Sequence, residues 1–250
     1  MKHLKARFMA FLKHLGLSAI VAGVAIACVF FVWYPAPLQE AQGVTQIFIL
    51  LLAIDISIGP LITLMTYKPT AAFLKFDLPV IVLLQTIALC YGMYTVFYAR
   101  PAFIVFNRSH FSVVRVLDLD KTSLNTALAN HNQAAQASFF SPRWVATVLP
   151  KDTKRLNEVF FSNQDWNQLP ESFIELAQAK PQLLAKARSL NELRAAYEKK
   201  HDGILRELNA WQSQIKWLPL LALNKNMIVL INTDSGEVVT ILDIDPFFKK

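Results

Sequence analysis

Charge is scarce in this chain. Asp, Glu, Lys and Arg make up 17% of its 250 residues, against 54% hydrophobic ones. A soluble domain carries about 25% charged residues. With a mean hydropathy of +0.35 as well, part of the chain must reside in a lipid bilayer. Cysteine is scarcer still: Cys28 and Cys90 both lie inside apolar runs, so no disulfide framework is expected elsewhere. The histidines His3, His14, His110, His131 and His201 show no metal-ligand spacing. No GxSxG, HExxH or Gly-rich phosphate loop occurs. These absences speak against an enzyme and leave no cofactor or metal to expect. Nor does the net charge of +7 mark a nucleic-acid binder, because six of the cations flank apolar runs, where they set topology, and the rest are scattered among acids.

Three stretches without Lys or Arg supply the excess of apolar residues: 15–34, 44–67 and 78–98. Each reaches the roughly 20 residues that cross a hydrocarbon core. The opening "MKHLKARFMAFLKH" would suit a signal peptide, but the following run is too long and lacks a small-x-small cleavage site. The expected organisation is a basic head at 1–14, a three-helix transmembrane domain at 15–100, and one further domain at 101–250. Lys2, Lys5, Arg7 and Lys13 in the head, and Lys68 and Lys75 in the second connection, contrast with a first connection, "PAPLQEAQG", that has no cation. The positive-inside rule then places the N-terminus in the cytoplasm and the C-terminal domain outside. In a bacterium this is an inner-membrane protein with a periplasmic domain.

Small residues recur along the spans. Ala19, Gly23 and Ala27 form one stripe and Asp55, Gly59 and Thr63 another, and such stripes let helix backbones approach. They either pack the three helices together or leave a face open for a helix of another protein. Asp55 sits near the middle of its span, where a bare carboxylate costs at least about 2.5 to 3.5 kcal/mol. It should be protonated or hydrogen-bonded, with Gln85 the first candidate partner and Thr86 and Tyr91 the alternatives. Pro60, just after Gly59, removes a helical N–H and frees a carbonyl near Ile56, which would either make a docking notch beside the acid or serve helix packing alone. Asp55, Gly59, Pro60, Thr63 and Gln85 are therefore the candidate intramembrane polar or partner-contact residues.

Beyond Arg100 the period changes. "PAFIVF" and "FSVVRVLDL" read as a hairpin, "PRWVATVLP" as a strand, and the runs flanking "TDSG" as a second hairpin. "KTSLNTALANHNQAAQASFF" reads as a surface helix, "KDTKRLNEVFF" and the stretch from Pro170 to about Gln214 as further helices. The fold class expected is three transmembrane α-helices followed by one extracytoplasmic α+β domain with a small antiparallel sheet. Asp118 with Asp120, and Asp243 with Asp245, show the spacing of metal-held sugar-nucleotide sites, though each pair ends a strand where acids simply meet water.

"FVWYPAPL", "LLAIDISIGPLITLMTYKP" and "LKFDLPVIVLLQTIALCYGMYTVFYARPAFIVFNRSHF", with the terminal "DSGEVV", resemble the TfpX/TfpZ family of type IV pilin accessory proteins. The core of the match is Asp55, Gly59, Pro60, Leu61, Thr63 and Leu64, with Lys75 to Ile81. The resemblance implies a non-enzymatic, chaperone-like inner-membrane factor whose partner is the major type IV pilin, which it helps into the fibre. A homo-oligomer stays open. The rival readings are a pilin-modifying enzyme that transfers a glycan, and a periplasmic sensor.

Overall fold

The computed structural model describes residues 2–68, 76–149, 157, 159, 161, 165–197, 208, 209, 211 and 214–247. The helix read over "KDTKRLNEVFF", the later part of the helix read before Gln214, and Lys75 lie wholly or mostly outside these. The chain forms two compact units, one of residues 1–35 and 44–99, the other of 36–43 and 100–250.

In the first unit, α1 runs from Lys2 to Ala27 and continues as a wider π-helical turn over Cys28–Trp33. The head assigned to 1–14 is thus not a separate element but the first turns of the same helix, since nothing between Lys2 and Ala27 breaks it. The short α2 (Leu38–Gln42) belongs to the second unit, and α3 (Val44–Thr66) and α4 (Leu78–Tyr98) complete the first. Among the described residues three helices are long and apolar enough to cross a membrane, Leu4–Trp33, Val44–Thr66 and Leu78–Tyr98, and most of each is left exposed. They meet along one seam of Ala22, Ala25, Val29, Phe48, Leu52 and Val96. At the end of the seam the Tyr34 hydroxyl donates to the Val96 carbonyl at 3.0 Å.

That seam excludes one of the two readings of the α1 stripe, that it packs the three helices together. Ala19, Gly23 and Ala27 are exposed, and a Cβ on Gly23 would meet nothing within 4 Å. The packed face of α1 is the neighbouring one, through His14, Ser18, Ala22 and Ala25. The helix is apolar on nearly every side, so small residues alone did not distinguish its faces.

The second unit is built on a sheet. Its strands are β1 (Pro101–Asn107), β2 (His110–Arg115), β3 (Arg143–Thr147), β4 (Phe173–Glu175), β5 (Arg188–Ser189), β6 (Ile215–Leu221), β7 (Met227–Asn232) and β8 (Val238–Leu242). Between them lie α5 (Lys121–Ala129), α6 (Lys180–Lys186) and α7 (Leu190–Tyr197). The order is β4-β3-β1-β2-β6-β7-β8, with β5 added against β6. The two hairpins read from sequence are β1–β2 and β7–β8. The sheet is larger than expected and mixed, because β1 pairs β3 and β2 pairs β6 in parallel. Long connections supply these parallel neighbours.

Strand alternation places Phe103 and Val105 on one face and Ile104 and Phe106 on the other. Both faces are covered, which is why β1 is buried from Pro101 to Phe106. On one face Leu183 of α6 and Leu38 and Ala41 of α2 pack over Ile104, Phe106, Leu218 and Val229. On the other, Leu190 and Leu193 of α7 cover Trp217 and Leu230, while Ala134 lies with Phe103, Val145 and Phe173. The Ala-rich stretch is therefore only in part a surface helix: α5 stops at Ala129, and Ala134 and Ala135 turn inward.

Candidate functional site

The five residues singled out in the spans converge. Pro60 lies inside α3, and Gly59, Pro60 and Thr63 are buried. Without a side chain on Gly59, the Gln85 amide of α4 lies directly over that position, where any Cβ would collide with it. Gln85 Nε2 donates to the main-chain carbonyl of Asp55 at 2.9 Å. The expected pairing of the two residues holds, but it runs through the Asp55 backbone and not its carboxylate. Passing over Gly59 delivers the amide to the carbonyl one turn earlier, one residue before the Ile56 carbonyl that Pro60 frees. Of the alternative partners, the Thr86 hydroxyl donates to Val82 O of its own helix at 2.8 Å, and Tyr91 is 73% exposed.

His14 was not singled out by sequence reasoning. Its Nδ1 lies 2.7 Å from Thr63 Oγ1, and both side chains are buried. One polar bond thus joins α1 to α3 and another joins α3 to α4, each worth about 0.6 to 1.7 kcal/mol inside a membrane. The signal was present as His14 and Ser18, two polar residues one turn apart at the start of an apolar helix. Asp55 lines a cavity of about 70 Å³ together with His14, Ser18, Gln85 and Thr86. Among the described residues its carboxylate makes no hydrogen bond.

The acidic pairs of the second unit serve the fold. Asp118 takes a bidentate pair from Arg115, with both contacts at 2.7 Å. Asp120 caps α5 by accepting from Ser123 N at 2.7 Å, and Asp243 pairs with Lys225 at 2.6 Å. Asp245 Oδ1 accepts from Phe247 N at 3.0 Å. Among the described residues no group of three or more His, Cys, Asp or Glu could hold a metal ion. A cavity of about 690 Å³ in this unit opens along β8 beside Pro37, Trp144, Lys180 and Glu237.

His110 opens β2, and burial holds its imidazole below the usual value of 6.5, with Asp165 pulling part of the way back. In the unfolded chain it titrates near about 6.5. Below that pH the unfolded state takes up the proton more readily, so folded-state stability is full above about pH 6.5 and declines as pH falls toward the folded value. His110→Gln should flatten the decline as pH falls below about 6.5, read from denaturant midpoints at each pH.

Together these features define a membrane-anchored α+β protein whose apolar spans are joined by two polar bonds. The model for the family "Fimbrial assembly protein FimB" matches residues 2–43. The chain is similar to the fimbrial assembly protein of serogroup I of Dichelobacter nodosus, 28% identical over 97% of this chain and 98% of that relative. The serogroup E1 protein is 27% identical over the same shares. The protein of serogroups C1 and C2 is 37% identical over 108 residues, 41% of this chain and 82% of that relative. No solved structure matches. The chain belongs to the fimbrial assembly protein family.

Proposed function

We propose that this chain is a non-enzymatic accessory factor of type IV pilus biogenesis, of the TfpX/TfpZ kind. It sits in the bacterial inner membrane with its N-terminus in the cytoplasm and its sheet domain in the periplasm, and it aids the stability or assembly of the major pilin by direct contact. The spans hold the pilin's apolar helix, Gln85 and the Asp55 backbone organise the bundle, and the sheet domain meets the pilin's head. The observation that carries this reading is the uncovered stripe of α1. Gly16, Ala19, Gly23 and Ala27 are all exposed, on a chain that aligns nearly end to end with fimbrial assembly proteins. Small residues allow close helix approach, and among the described residues no other helix covers these. The engagement of Asp118, Asp120 and Asp243 in structural bonds favours this reading over glycan transfer.

Gly23→Leu separates partner contact from folding, because its new side chain enters open space. The variant should accumulate like the parent yet recover at least fivefold less pilin on co-purification, the effect of losing about 1 kcal/mol of contact. Undiminished recovery would remove α1 from the contact.

A further inference from the structure

Between α1 and α4, floored by α3, runs a groove of about 470 Å³. Its walls are apolar, with Leu17 on one side and Leu78 and Val82 on the other, and its floor includes Thr63. A single charged residue, Lys13, stands among the described residues that line it. The depth of that lysine is fixed. Its neighbour His14 is bonded to Thr63, three residues before the end of α3, which is about 4.5 Å along a helix. That is where hydrocarbon gives way to headgroups. A second cation is held beside a lining residue without lining the groove itself: Arg7 Nε donates at 3.0 Å to the carbonyl of Tyr67. Asp77, exposed ahead of Leu78, is the nearest acid in sequence and does not line the groove.

Fixed cations at the headgroup level above an apolar slot match the two halves of an anionic phospholipid. We propose that this groove is a binding site for one such lipid, its phosphate on Lys13 and Arg7 and an acyl chain laid past Leu17 and Val82 toward the bilayer centre. Basic pockets between transmembrane helices bind anionic headgroups for this reason. The limited room decides against a protein helix as occupant. A helix is about 10–12 Å across along its whole length, whereas the separate void beside the groove, which shares His14, Leu17 and Val82 with it, offers only about 70 Å³ next to Asp55. Lys13 is exposed, so its ammonium is free to meet a phosphate while its stem follows the apolar wall.

The test uses the full chain purified in detergent and offered phosphatidylglycerol or phosphatidylcholine with identical acyl chains, with retained lipid counted by native mass spectrometry. The parent should retain phosphatidylglycerol at least fivefold better, and Lys13→Gln should lower that preference about fivefold, the worth of one cation near a lipid phosphate. Leu17→Trp should expel both lipids at unchanged helix content. Equal retention of the two lipids by the parent, or a preference that survives Lys13→Gln, would overturn the assignment. So would a photo-crosslinker at Leu78, on the α4 side of the groove, that captures a polypeptide in the native membrane. None of these readings depends on the pilin contact.

Discussion

Leu38→Ala should destabilise the sheet domain by about 2 to 5 kcal/mol, the usual cost of emptying a leucine site in a core. The residue lies in the connection between the first two spans, yet it is 2% exposed and packs with Ile104, Leu218 and Val229. Main-chain bonds hold the segment in place. The Ala41 carbonyl accepts from Asn224 N at 2.9 Å and from Lys225 N at 3.1 Å, and Asn224 Nδ2 donates to the Glu40 carbonyl at 3.1 Å. The segment leaves through Gly43 in the left-handed region at φ 71°, where even a Cβ would stand 3.0 Å from Asn224 Cβ. Denaturant unfolding of the whole chain in detergent, followed through tryptophan emission, measures the effect. A loss under about 1 kcal/mol would mean that the connection only rests on the domain.

That segment shows where the sequence stops being legible. "PAPLQEAQG" is read only for the cations it lacks beside the head and the second connection, and its partners lie about 180 residues further on, at Asn224. No local period encodes such a contact. The parallel pairings β1–β3 and β2–β6 were hidden for the same reason, whereas the two hairpins were plain because their partners are neighbours in the chain. Within the spans, Gly59 and Pro60 could be read because backbone chemistry gives them meaning wherever they occur. Ala19, Gly23 and Ala27 could not be assigned a face, since lipid and a neighbouring helix both accept small apolar residues. His14 fell between two categories, counted with a basic head when it belongs to the buried side of α1.

Gly59→Leu should be the most damaging change within the spans. Its side chain must enter the space of the Gln85 amide, so α4 has to retreat or Gln85 has to swing away and give up the Asp55 carbonyl. Overpacking of this kind costs about 1 to 3 kcal/mol, and the lost interhelical bond adds about 0.6 to 1.7 kcal/mol. Gln85→Ala removes the bond without a clash and should cost no more than about 2 kcal/mol. The two changes share one space, so they cannot be additive. With Gln85 shortened, the leucine meets far less obstruction, and the double variant should be more stable than Gly59→Leu alone. Unfolding in mixed micelles of increasing sodium dodecyl sulfate, read by circular dichroism, orders the three. Strict additivity would show that the glycine serves something other than the approach of Gln85. Gly23→Leu, on the open side of α1, should leave the same midpoint where it was, since no packed neighbour has to move.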